Sequence, residues 1–227
     1  MTSLPRRGVF AGLAVAGTAL TGSDAGRTAA PADAVPSAAS APPPGEPGLA
    51  LSLTEAAFVT AAAAVLIPAD ELSPSGADLG LAVYIDRQLA GAWGNGARYY
   101  RQGPHVAGKP EHGPQSPLTP REQVRAGIAA AGAAVRQQFG KGLEDLAEPE
   151  RIAALQALEA GQPAFFNLLL ALTMEGLFAD PIYGGNRDKA GWKMLGYPGL
   201  PATYRRDIVA YHGRHYDKPP RSIADFS

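Results

Sequence analysis

The sequence predicts an all-α domain of about five or six helices. It also predicts a long Pro/Gly loop and a Gly-rich, aromatic C-terminal wrap. Three observations lead there. No segment alternates apolar and polar residues with β-branched side chains, the pattern of a half-buried strand. Several segments carry apolar residues at helical spacing between recognisable caps. Glycine, proline and aromatic residues concentrate in two stretches, 93–118 and 180–199, where regular helix cannot continue.

The helices follow in order. In "LTEAAFVTAAAAVLIP", Thr54 is the N-cap candidate, Glu55 lies in the first turn and Pro68 is a stop. A second helix is expected from about Asp78 to Ala92, with Leu81, Ile85 and Leu89 as its apolar stripe and Gly91, Gly94 and Gly96 ending it. Prolines 104, 110, 114 and 117 interrupt the loop that follows, which holds Tyr99, Tyr100, Arg101, His105 and His112. Thr119, Pro120 and Glu122 form a capping-box signature for a third helix reaching Phe139. A shorter helix spans about Pro149 to Ala160. The next, Pro163 to Phe178, is apolar nearly all round and is expected to be the central buried helix. Asn167 and Glu175 argue against its spanning a membrane.

The N-terminus has a different character. Arg6 and Arg7 precede an apolar run from Val9 to Leu20, which is weakly apolar and shorter than the about 20 residues of a membrane span. Residues 1–30 are therefore read as a signal peptide, and the paired arginines point to the twin-arginine route. Small residues near Ala25 and Ala30 offer cleavage positions. Residues 31–50, mostly Ala, Pro, Ser and Gly, lack the apolar side chains that offset ordering entropy and read as a disordered linker. The folded domain is expected over 51–227. These features predict an exported protein, in the periplasm or on the outer face of the cytoplasmic membrane. An uncleaved signal would tether it there.

Composition excludes several chemistries. The formal net charge is −1, so nothing favours nucleic acid. The absence of cysteine removes disulfides, thiol catalysis, thiolate metal ligation and covalent haem attachment through C-x-x-C-H. No Walker-type loop, G-x-G-x-x-G or G-x-S-x-G elbow is present. His212 and His215 stand at i, i+3 and would share one face of a helix, but spacing implies no third ligand. With Glu175 they define the alternative reading, a stand-alone exported metal- or ligand-binding protein. Otherwise no catalytic, cofactor-binding or metal-binding residue is predicted in this chain.

Glu175 and the loop after it carry the most information. A carboxylate on an apolar helix, followed within five residues by Asp180-Pro181 and Gly184-Gly185, is read as an anchor for the backbone N–H groups of the loop. Asn186 suits an Asx turn, and Tyr183, Trp192 and Tyr197 suit a partner-facing surface.

The run "MEGLFADPIYGGNRDKAGWKMLGYPG" resembles the signature of the gluconate 2-dehydrogenase subunit 3 family. The residues that fit are Glu175, Gly176, Phe178, Asp180, Pro181, Tyr183, Gly184, Gly185, Asn186, Gly191, Trp192, Gly196, Tyr197, Pro198 and Gly199. A looser likeness extends upstream to residue 53. The resemblance implies a non-catalytic small subunit of a membrane-associated sugar or polyol dehydrogenase. It implies a large partner flavoprotein that holds FAD and, in some complexes, a multihaem cytochrome c subunit. It also implies that the small subunit carries the export signal and supports maturation of the flavoprotein.

Overall fold

The computed structural model describes residues 48–226 apart from 98, 107, 113–115 and 201–202. Arg6 and Arg7, the signal peptide and most of the linker lie outside the described residues. Among those described there are seven α-helices and no strand: α1 (Leu53–Leu66), α2 (Leu81–Ala90), α3 (Pro120–Phe139), α4 (Glu148–Gly161), α5 (Pro163–Phe178), α6 (Ala190–Leu195) and α7 (Arg205–Ala210). None of these helices is long and apolar enough to cross a membrane. The expected all-α class holds, with α6 and α7 added inside the predicted wrap.

Two helices form the middle of the bundle. α1 packs against α2, α3, α4 and α5, and α5 packs against all of these and α6. The alanines of α1 serve this: Ala61, Ala62 and Ala63 are buried, so neighbouring helices approach closely while Phe58, Val59 and Leu66 supply bulk. α5 is less enclosed than its composition suggests. Asn167, Ala171 and Glu175, spaced i, i+4, i+8, leave one stripe exposed.

Caps set the helix ends. α3 begins as predicted, with Thr119 accepting the Glu122 N–H and the Glu122 carboxylate accepting the Thr119 N–H. α1 is capped by Ser52, not Thr54. Ser52 holds the extended conformation a cap needs and forms the reciprocal box with Glu55, while Thr54 lies inside the first turn. α2 starts three residues later than expected. Ser75 and Asp78 close a separate turn, and Gly80 at φ 76° breaks the helical path. Leu81, Ile85 and Leu89 are fully buried as predicted.

The linker boundary is corrected. Gly48, Leu49 and Ala50, assigned to the linker by composition, are fixed on the fold by Asp86 of α2. Its Oδ2 accepts the N–H groups of Gly48 at 3.0 Å and Leu49 at 2.9 Å. Its Oδ1 accepts those of Ala50 at 2.8 Å and Leu51 at 2.7 Å. Arg125 of α3 donates to the Ala50 carbonyl, completing the clamp.

Beyond α6 the chain pairs Gly199 with Arg221 in an isolated parallel bridge. It ends in a 3-10 turn, Ile223–Phe226.

Candidate functional site

The loop after α5 is built around the last carbonyls of that helix, which have no partner inside the helix. The Trp192 indole N–H donates to the Phe178 carbonyl at 2.7 Å. The Asn186 amide N–H donates to the Ala179 carbonyl at 2.8 Å, and its Oδ1 accepts the Gly191 N–H at 2.8 Å. Asn186 is fully buried and sits at φ 49°, so its side chain ties both ends of the loop from inside. Gly191 is required by close approach: a Cβ there would stand 2.1 Å from the Leu177 carbonyl oxygen. Gly185 meets the Gly176 carbonyl in the same way, at 2.4 Å.

Asp180 fixes the loop to the C-terminal tail. Its Oδ1 accepts the Ile182 N–H at 3.0 Å and the Ser222 hydroxyl at 2.7 Å, and its Oδ2 accepts the Ile223 N–H at 2.9 Å. The ion pair of Lys189 with Asp225, at 2.6 Å, holds the same two segments together. Two arginines then attach the loop to α2 and the turn before it. Arg87 donates to the Ile182 carbonyl at 3.0 Å, and Arg187 donates to that of Asp78 at 3.2 Å. With these constraints, Asp188 and Lys189 also hold positive φ, a conformation non-glycine residues adopt only when their surroundings impose it.

The outer side of the loop mixes the charges of Arg187, Asp188 and Lys193 with exposed apolar and aromatic side chains. Pro181 and Tyr183 bound a 3-10 turn closed by Gly184, and Tyr183 is exposed. Gly196 ends α6, and Tyr197 meets the Trp192 ring edge-on, at 5.4 Å between centroids. Pro198 accepts the Arg221 N–H, and Gly199 enters the bridge. Phe178, Asp180, Trp192, Leu195, Tyr197 and Leu200 line a shallow groove of about 350 Å³. Trp192 is its buried floor, while Leu195 is 62% exposed at its rim.

The model of the family described as Gluconate 2-dehydrogenase subunit 3 matches residues 54–199. The chain belongs to that family. No curated protein and no solved structure matches it. As a subunit 3 protein, it is a component of a gluconate 2-dehydrogenase-like complex, and so has partner subunits. The match ends at Gly199, where the bridge to Arg221 begins, so α7 and the tail lie outside it.

Glu175 does not anchor the loop of this subunit. It lies on the exposed stripe of α5 with Asn167 and Ala171, while the loop meets the helix at Gly176 and Leu177. Its carboxylate accepts the Tyr84 hydroxyl at 3.4 Å, and no loop N–H donates to it. Burial, followed by the negative charge of Glu175, pushes the Tyr84 hydroxyl up to about 12. Glu175→Ala is therefore expected to cost less than about 1 kcal/mol in a urea melt, since it removes one long, part-buried hydrogen bond.

His212 and His215 fall in the turn after α7 and are exposed. Among the described residues no group of three or more histidines, aspartates or glutamates is gathered as a metal would require. The residues missed from sequence are Asp86, Arg87, Arg187, Ser222 and Asp225. Only Asp86 left a signal there, as an acid set between Ile85 and Leu89 of a buried stripe.

Proposed function

We propose that the chain is the non-catalytic small subunit of an exported FAD-dependent gluconate, sugar or alcohol dehydrogenase. In this reading it carries the folded flavoprotein subunit through the twin-arginine route and supports its maturation. FAD is held by that partner, and haem c by a third subunit in complexes that have one. The complex works in the periplasm, at the outer face of the cytoplasmic membrane. The family match over residues 54–199 carries this proposal. The Arg6-Arg7 pair supports the export route. The groove over Trp192, held by backbone and side-chain bonds on every side, offers a preformed face for a folded partner.

The test is a cell carrying Arg6→Lys and Arg7→Lys together. Dehydrogenase activity and bound flavin should shift from the periplasmic to the cytoplasmic fraction, with the flavoprotein still co-purifying with the tagged chain. Undiminished periplasmic activity would show that the flavoprotein does not travel with this subunit. A tagged wild-type chain that brings down no flavin-containing protein would overturn the subunit assignment itself.

A further inference from the structure

Between Leu200 and Arg221 the chain leaves the body and returns. Its two ends are held together where the Leu200 N–H donates to the Arg221 carbonyl at 2.7 Å and the Arg221 N–H donates to the Pro198 carbonyl at 3.0 Å. None of the described residues between these ends is buried. The excursion nevertheless has a defined shape, because one side of α7 is its own interior. Asp207 accepts the Tyr216 hydroxyl at 2.8 Å and pairs with Lys218. The Tyr211 and Tyr216 rings lie 4.8 Å apart, and the Lys218 ammonium sits near both, at 5.4 and 5.9 Å from their centroids. Burial, followed by nearby Asp217, pushes the Tyr211 hydroxyl above its ordinary value. Asp207 is thus occupied inside the excursion.

The opposite side carries what is left. Ile208 is 67% and Val209 78% exposed, and neither is covered by any element of the fold. Arg205 and Arg206 are exposed on the same helix, and exposed Arg214 donates to the Ala210 carbonyl at its end, at 3.0 Å. This is an inverted arrangement for a soluble helix: its polar and aromatic groups face inward and its β-branched residues outward. With Asp207 paired to Lys218, Arg205, Arg206 and Arg214 outweigh Asp217, so the finger is net positive.

We propose that this finger docks on an anionic phospholipid surface. Ile208 and Val209 would enter the boundary between headgroups and acyl chains, and Arg205, Arg206 and Arg214 would contact lipid phosphates. Two side chains on a six-residue helix fall well short of the roughly 800 Å² per partner that a stable protein interface buries. A lipid surface needs no such area, since insertion of a small apolar tip is supplemented by attraction of nearby cations to anionic headgroups. The finger lies beyond Gly199, outside the span shared with the family, and its base at Leu200 borders the groove proposed for the flavoprotein. The inference does not depend on which dehydrogenase the subunit serves.

The lack of cysteine allows a local readout in the full chain. Ala210→Cys, exposed beside Val209, takes an environment-sensitive fluorophore. Glu159→Cys, exposed on α4, serves as the remote control. Vesicles of phosphatidylcholine with phosphatidylglycerol should raise and blue-shift the emission at 210 by about twofold, and phosphatidylcholine alone should not. Arg205→Glu with Arg206→Glu, and separately Ile208→Ser with Val209→Ser, should each abolish the response while helical circular dichroism is retained. The signal segment can bind vesicles on its own, which is why the label and not sedimentation is read. The proposal is overturned by silence at 210 with anionic vesicles, by a response that survives charge reversal, or by an equal response at 159. It is also overturned if purified flavoprotein subunit, and not vesicles, changes the emission at 210.

Discussion

Asp86→Ala should destabilise the domain by about 3–4 kcal/mol, because four backbone donors lose one charged acceptor at once. The side chain is 1% exposed and accepts the N–H groups of Gly48, Leu49, Ala50 and Leu51. For a domain of this size the loss corresponds to a fall of about 10 °C in melting temperature. Asp86→Asn separates charge from shape, since its amide would turn donors toward donors on one side, and it should fall between wild type and Asp86→Ala. Burial pushes the Asp86 carboxyl up, but the four N–H groups together outweigh it and hold the carboxyl below the ordinary aspartate value. A depressed acid contributes stability above its unfolded value and loses it as pH falls through the folded one. The wild-type advantage over Asp86→Asn should thus be constant from neutrality to about pH 5 and shrink below about pH 4. Thermal melts across that range check this; an advantage that persisted undiminished in strong acid would refute the role of the carboxylate. Limited proteolysis gives a second readout, because Gly48–Leu51 become accessible to protease once Asp86 no longer holds them.

Sequence made the helices legible because their signals are local. The ends of α3 and α5 are written in residues that touch one another: Thr119 with Glu122 at one start, Pro163 at the other, Gly140 beyond Phe139. The start of α1 was open to the same reading, since Ser52 and Glu55 have the spacing of Thr119 and Glu122. The clamp on Asp86 was not legible in that way. Its partners are backbone groups 35 to 38 residues away, in a segment whose composition looks structureless. Backbone N–H groups have no sequence identity, so no pattern of side chains announces them. The same holds for Asp180, whose tail partners Ser222 and Ile223 are 42 and 43 residues distant. The mistake over Glu175 has another origin. Charge drew attention to it, while its helical register with Asn167 and Ala171 places it on the exposed stripe. The loop is held by a neutral amide, Asn186, which can both donate and accept where a carboxylate can only accept.

That difference makes Asn186 the decisive residue of the loop. Asn186→Ala removes a donor from the Ala179 carbonyl and an acceptor from the Gly191 N–H, both inside the protein, and leaves a Cβ-bearing residue at φ 49°. Two unmade buried bonds cost about 2–4 kcal/mol. Asn186→Gly loses the same bonds but tolerates the backbone, so it should be milder than Asn186→Ala by about 1 kcal/mol. Asn186→Asp keeps the acceptor for Gly191 but sets a carboxylate against the Ala179 carbonyl at the negative end of α5. It should be no better than Asn186→Ala at neutral pH. Urea melts of the three variants rank them, and a harmless Asn186→Asp would mean that the Ala179 bond contributes nothing. The consequence for assembly follows from position. Asn186 fixes Gly191, Gly191 starts the turn that places Trp192, and Trp192 floors the groove. At a temperature where Asn186→Gly remains folded, capture of the flavoprotein should drop relative to wild type. Unchanged capture would separate the groove from the partner.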